Sequence, residues 1–190
     1  MILAVQKYLH QWAEARNDFE NGRTIKESGD KSGRYVGNLT EFALSRFLTD
    51  NAIQHKCVGS TCFEHDIEVG RKTIDAKAKA RTYSYIDNPS RIGIDEAHVK
   101  EDQEEFDCDY YVFSSVHIPN GVRVAGSVHI VGWIEKNRFW DNCERVVLGQ
   151  ITSGNHKELA DAGKLVYSGL RPMESLFDTL KNHITKCRFE

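Results

Sequence analysis

Apolar and polar positions along the chain change period several times, and each change marks an element. Between residues 1 and 21, Leu3, Tyr8, Trp12 and Phe19 recur at roughly helical spacing, which predicts an amphipathic helix to about Glu20. From Gly22 to Gly37 the chain is polar and glycine-punctuated and reads as a loop. Its Arg23, Lys26, Lys31 and Arg34 either meet a phosphate backbone or face water. Asn38 or Gly37 can cap a second helix, in which Leu39, Phe42, Ala43, Phe47 and Leu48 form an apolar face. Glu41 interrupts the polar logic of that helix, because it sits beside the apolar face. In the first turns of a helix an acid also simply favours the dipole.

The period then shortens to two. Ile53 to Ser60, Cys62 to Val69 and Lys72 to Ala80 read as three strands, the last two joined by a tight turn at Gly70 and Arg71. In the third, Thr73, Asp75, Lys77 and Lys79 share one face, while Ile74, Ala76, Ala78 and Ala80 share the other. An ordinary wet strand face explains such a pattern as readily as a site does. A turn at Asp87-Asn88-Pro89-Ser90 follows, then a short, strongly charged helix over Asp95 to Glu105. Asp109 to Ile118 and Val122 to Ile134 are strong strand signals joined by Pro119-Asn120-Gly121, and they are expected to pair. Beyond them come a short helix or turn over Glu135 to Asn142, strands at Val146 to Ile151 and Lys164 to Ser168, and an irregular stretch between the two. Pro172 opens a C-terminal helix carried by Leu176, Phe177, Leu180 and Ile184.

At 190 residues with 40% apolar content, the chain is expected to form one domain over 1–190, of α/β or α+β class, with a substantial core. No apolar run is long enough for a bilayer, and Met1 to Val5 lacks the basic flank of a signal peptide, so a cytoplasmic protein without a membrane partner is expected. The five cysteines are odd in number and scattered, which fits a reducing compartment rather than a disulfide framework. A net charge of -3 argues against a generally basic nucleic-acid binder but leaves room for a local basic patch, and Arg71, Lys72, Lys77, Lys79 and Arg81 crowd into one stretch.

That stretch, His65 to Arg81, concentrates the chemistry. A hairpin through Gly70 and Arg71 lays Asp66 alongside Asp75 and Lys77, which gathers two carboxylates and an ammonium group. Such a cluster suits a divalent cation and an anionic transition state. The order of elements and the signature Asp66, eight residues, Asp75-Ala76-Lys77 resemble the PD-(D/E)XK nuclease superfamily, whose phage-type members are among the candidates. His65 stands where the motif's name has proline, and Glu41 stands where many members carry a helix glutamate. The resemblance covers about residues 36 to 118.

The resemblance implies a restriction-endonuclease-like α-β-β-β-α-β core over about 36–134, with a mixed central sheet flanked by helices. The helices 1–21 and 172–186 and the later strands would be additions. It implies a Mg²⁺-dependent endonuclease, with Mn²⁺ as substitute, acting on DNA, duplex or branched in preference to RNA. Glu41, Asp66 and Asp75 would hold the metal with the Ala76 carbonyl, and Lys77 would stabilise the transition state. Arg34, Arg71, Lys72, Lys79 and Arg81 would contact nucleic acid. Symmetric duplex cutting would call for a homodimer. The alternative is a module that keeps the fold and binds nucleic acid or protein without cutting. A second constellation, His55, Cys57, Cys62 and His65, has the donor types of a zinc site but not the spacings of common fingers. His117 and His129, on the later strands, lack a third ligand.

Overall fold

The computed structural model describes residues 2–4, 31–58, 62, 64–121, 125–150 and 161–187. Its central feature is a six-stranded mixed sheet built from β1 (Ile2–Ala4), β2 (Lys56–Cys57), β3 (Ile67–Val69), β4 (Lys72–Arg81), β6 (Tyr110–His117) and β7 (Ser127–Glu135). The spatial order is β1-β7-β6-β4-β3-β2. Strands β2, β3 and β4 run as an antiparallel meander, β4 and β6 are parallel, and β6, β7 and β1 are antiparallel. A parallel step requires the chain to cross back over the sheet. That crossover, residues 82 to 109, carries β5 (Glu96–Lys100), which joins β9 (Ala162–Val166) and β8 (Glu144–Val146) in a second, three-stranded sheet.

The layers follow from which faces are apolar. Helix α1 (Lys31–Asp50) lays Tyr35, Val36, Leu39, Ala43, Leu44, Phe47 and Leu48 on one face of the large sheet, against Ile74, Ala76 and Ala78 of β4. Fully burying a Leu contributes about 1.5–3 kcal/mol, so this stripe is a main source of stability. The short side chains of Ala76 and Ala78 let the helix approach, and Thr40 of α1 is hydrogen-bonded to Ser114 of β6 at 2.5 Å. Helix α3 (Met173–Cys187) extends the same layer with Met173, Leu176, Phe177 and Leu180. On the opposite face Tyr111, Phe113 and Ile134 pack against Ala97 and Val99 of β5, Phe139 and Trp140 of helix α2 (Lys136–Asn142), and Tyr167.

Several expectations need correction. Helix α1 begins at Lys31, not at Asn38. Tyr35 and Val36 continue the apolar stripe back from Leu39 by one turn, and their burial outweighs a glycine penalty of about 1 kcal/mol at Gly33 or Gly37. Residues 2–4, assigned to a helix from sequence, form β1 at the sheet edge, paired with Ser127 to His129; the remainder of that helix lies outside the described residues. Asp95 to Glu105 is a strand followed by a 3₁₀ turn at Glu101–Gln103, not a helix. Ala97 and Val99 are buried at period two while Glu96, His98 and Lys100 alternate with them, so tertiary pairing with β9 overrides the helical propensity of the charged residues. The α-β-β-β-α-β order therefore lacks its second helix, although the mixed central sheet and the flanking helices are present. No described helix is long and apolar enough to cross a membrane.

Candidate metal centre

The β3–β4 hairpin creates the site. Gly70 adopts φ 61°, a left-handed turn conformation that L side chains rarely take, and the turn sets Glu68 opposite Thr73. One residue before β3, the Asp66 N–H still donates to the Ile74 carbonyl at 2.9 Å. Where the main-chain ladder stops, the Asp66 side chain takes over, its Oδ2 accepting the Ala76 N–H at 2.7 Å. The N–H and C=O of one strand residue point the same way, so the Ala76 carbonyl projects from the same edge of β4.

Asp75 and Lys77 leave β4 on the face away from α1. Asp75 is buried, and Lys77 Nζ stands 2.5 Å from its Oδ2 as an ion pair. The pair is not aligned as a hydrogen bond, and Asp75 Oδ2 has no hydrogen-bond donor. Lys77 Nζ instead donates to Gln103 Oε1 at 3.0 Å and lies 5.8 Å from the centre of the Tyr111 ring. A cleft of about 40 Å³, bounded by Lys77, Lys79, Glu96, His98, Ser114 and Tyr167, opens beside it. That is room for a water molecule or one phosphate oxygen. The larger groove, about 800 Å³, lies elsewhere, along the β2 edge near Thr49, His55 and Glu68.

Asp66 is the electrostatic centre. The residue is half-buried, but its carboxyl group is enclosed; that burial, followed by the charges of Glu41 and Asp75, holds the carboxyl up to about 8 from an ordinary 3.8. The Ala76 N–H and the Lys77 charge pull the other way without prevailing. Glu41 thus acts on this site from α1. Because the helix starts at Lys31, Glu41 lies in its third turn, where stabilisation of the N-terminal dipole does not account for an acid.

Two enclosed carboxyl groups side by side, with Asp75 Oδ2 accepting no hydrogen bond, suit a hard divalent ion. Among the described residues no group of three or more His, Cys, Asp or Glu side chains is spaced to hold a metal by itself. Mg²⁺ does not require such a group, since it is commonly bound through one or two carboxylates with waters and substrate oxygens. Asp66, Asp75 and the Ala76 carbonyl fit that donor chemistry.

The basic residues are dispersed. Arg71 and Lys79 are solvent-exposed. Lys72 is engaged by Asp109 at 2.5 Å, and Arg81 turns inward to Asp95 at 3.5 Å. The Arg34 side chain lies outside the described residues. The four zinc-type residues do not converge. His55 is hydrogen-bonded to Ser45 at 2.7 Å and to the Ile53 carbonyl at 3.0 Å, Cys57 is exposed, and only Cys62 and His65 approach each other, at 3.5 Å. His117 and His129 share a face of β6 and β7 on the diagonal, with His129 set edge-on to Tyr85, where burial lowers its imidazole to about 4.

Two features escaped the sequence. Gln103 reaches Lys77 from a turn that propensity had assigned to a helix, and nothing in the spacing of the chain announces it. Asp95 is the hub of a second cluster, accepting hydrogen bonds from Tyr83 and from Tyr85 (2.6 Å) and from Arg91 (3.2 Å), with Arg81 beside it. The sequence signal for that cluster was the pair Tyr83 and Tyr85 at strand spacing after Arg81. No model of a known protein family matches this chain, and no curated protein matches it, so its functional reading rests on the geometry of this centre.

Proposed function

We propose that the protein is a metal-dependent nuclease that hydrolyses phosphodiester bonds in DNA, with Mg²⁺, or Mn²⁺ in its place, held by Asp66, Asp75 and the Ala76 carbonyl. The observation that carries this reading is the geometry of the hairpin, in which Asp66 Oδ2 accepts the Ala76 N–H at 2.7 Å while the buried Asp75, its Oδ2 accepting no hydrogen bond, faces Lys77 from the next position but one of the same strand. A bound divalent ion would supply acidification of a water and neutralisation of charge on the phosphate. The chain's own residues do the rest. Asp75 anchors Lys77, whose ammonium group would stabilise the extra negative charge on a phosphate oxygen bound beside the two carboxyl groups. Glu41 orients the Asp66 side of the site or holds a water for it. Arg71 and Lys79 are the exposed cations that would follow the substrate backbone, while Lys72 and Arg81 are committed to internal carboxylates.

A helix followed by an antiparallel three-strand meander and a parallel fourth strand is also the framework expected of a restriction-endonuclease-like core, and it supports the same reading. The test is incubation of plasmid and single-stranded DNA with Mg²⁺ or Mn²⁺, beside Asp75→Ala and Lys77→Ala. Cleavage that needs the ion and vanishes in both variants is expected. Equal cleavage by the parent and Asp75→Ala would remove the site assignment, and no cleavage of any nucleic acid would favour a non-cutting binding module.

A further inference from the structure

Lys77 is held by more than its carboxylate. We propose that Gln103 is a positioning residue for Lys77, fixing the direction of the ammonium group beside Asp75; this rests on the reading of Lys77 as the cation of the reaction. An alkylammonium has three N–H donors on a flexible four-carbon stem. A single ion pair with Asp75 leaves the stem free to swivel about that contact. Gln103 supplies a second, neutral acceptor, Oε1 at 3.0 Å from Nζ, and two supports fix the direction of the head group without cancelling its charge. The N–H groups that Gln103 does not engage are left for substrate or water.

Gln103 is itself fixed. It ends the 3₁₀ turn Glu101–Gln103, and its main-chain carbonyl accepts the Tyr111 hydroxyl at 3.2 Å. Tyr111 is fully buried, accepts the Trp140 indole N–H at 3.2 Å, and lays its ring 5.8 Å from Lys77 Nζ. The turn that carries Gln103 is therefore braced from the core of the second layer, and the brace ends on the lysine. An exposed glutamine that met Lys77 by chance would not have its main chain tied to the ring beneath the same ammonium group.

The experiment uses the full chain without metal, with ¹³C,¹⁵N-labelled lysine and Lys77 assigned through Lys77→Arg. Gln103→Leu keeps the bulk and loses the acceptor, whereas Gln103→Glu keeps both shape and acceptor. In the parent and in Gln103→Glu the two Lys77 Hε protons should be inequivalent and the Cε relaxation restricted. In Gln103→Leu, Lys77 should become as mobile as the exposed Lys79, with thermal stability close to the parent. With Mg²⁺ and DNA, Gln103→Leu should lose about tenfold or more in kcat at nearly unchanged KM, as displacement of one catalytic group predicts. Lys77 signals unaffected by Gln103→Leu would overturn the proposal while leaving the nuclease reading intact. Absence of cleavage by the parent would remove that reading, and the relaxation measurement would still decide whether Gln103 orders Lys77.

Discussion

Two buried acidic clusters flank the same strand, and they are solved in opposite ways. At the far end of β4, Asp95 meets two tyrosine hydroxyls and two guanidinium groups. Burial alone would raise its carboxyl, yet those hydrogen bonds and charges hold it below the ordinary value. At the near end, Asp66 and Asp75 share one lysine with Glu41 close by, and Asp66 is held far above its ordinary value. The first is a carboxylate with every requirement met inside the chain, and it pins the crossover loop to the sheet. The second gathers carboxyl groups around one lysine, with Asp75 Oδ2 accepting no hydrogen bond. A strongly shifted carboxyl group in an enclosed cluster is a candidate functional group, whereas a carboxylate satisfied on all sides is a structural one.

That contrast is broken or sharpened most decisively by activity. Lys77→Met should reduce metal-dependent cleavage by about 10²–10³-fold, the range for loss of one preorganised charge at the transition state. Asp75→Asn should cost at least as much. Asp95→Asn should leave kcat of the folded protein within a few-fold of the parent, because Asp95 touches Arg81 and the tyrosines rather than Lys77. A large loss of kcat in Asp95→Asn with parental stability would erase the distinction between the two clusters.

Stability should run the other way. Removing one partner from a buried charge network costs about 3–5 kcal/mol, so Asp95→Ala should lower the free energy of unfolding by about 3 kcal/mol. In Asp66→Asn a neutral amide replaces a carboxyl crowded by two others, and chemical denaturation should find this variant at least as stable as the parent. Mg²⁺ should raise the thermal midpoint of the parent and of Asp95→Asn but not of Asp75→Asn. At a hundred times the dissociation constant such a ligand contributes about 2.7 kcal/mol.

How much of this was written in the sequence depends on the range of the forces involved. The hairpin was legible because its determinants are local: alternation on both sides of Gly70-Arg71 fixes which side chains share a face, and Asp66, Asp75 and Lys77 follow from it. The C-terminal helix and the β6–β7 pair were legible for the same reason. The start of α1 was misplaced because Gly33 and Gly37 read as loop residues, whereas Tyr35 and Val36 are held helical by packing on the sheet. Strand β5 was missed because its partner, β9, lies more than sixty residues further along the chain. The loss of β5 also hid Gln103, and with it the second support of Lys77. Arg81, assigned to the substrate by its place in a basic run, faces inward because Asp95, the residue just before that same unforeseen strand, meets it.

The smallest effect, and the one that tests the electrostatics directly, is the pH dependence of stability in the metal-free protein. Between 3.8 and about 8 the native state keeps the Asp66 proton that the unfolded chain releases, so the native state binds more protons and stability falls as pH rises through that window. For Asp95 the sign reverses. Its folded carboxyl titrates below the ordinary value, the unfolded chain binds more protons there, and stability is lost as pH falls. Thermal midpoints in chelator from pH 3 to 9 should therefore decline on both flanks for different reasons. Asp66→Asn should flatten the decline between pH 5 and 8 and leave the acid side unchanged, while Asp95→Asn should flatten the acid side alone. If Asp66→Asn leaves the neutral slope as it was, the Asp66 carboxyl is not held protonated by its burial and by the charges of Glu41 and Asp75, and the contrast with Asp95 at the other end of β4 fails with it.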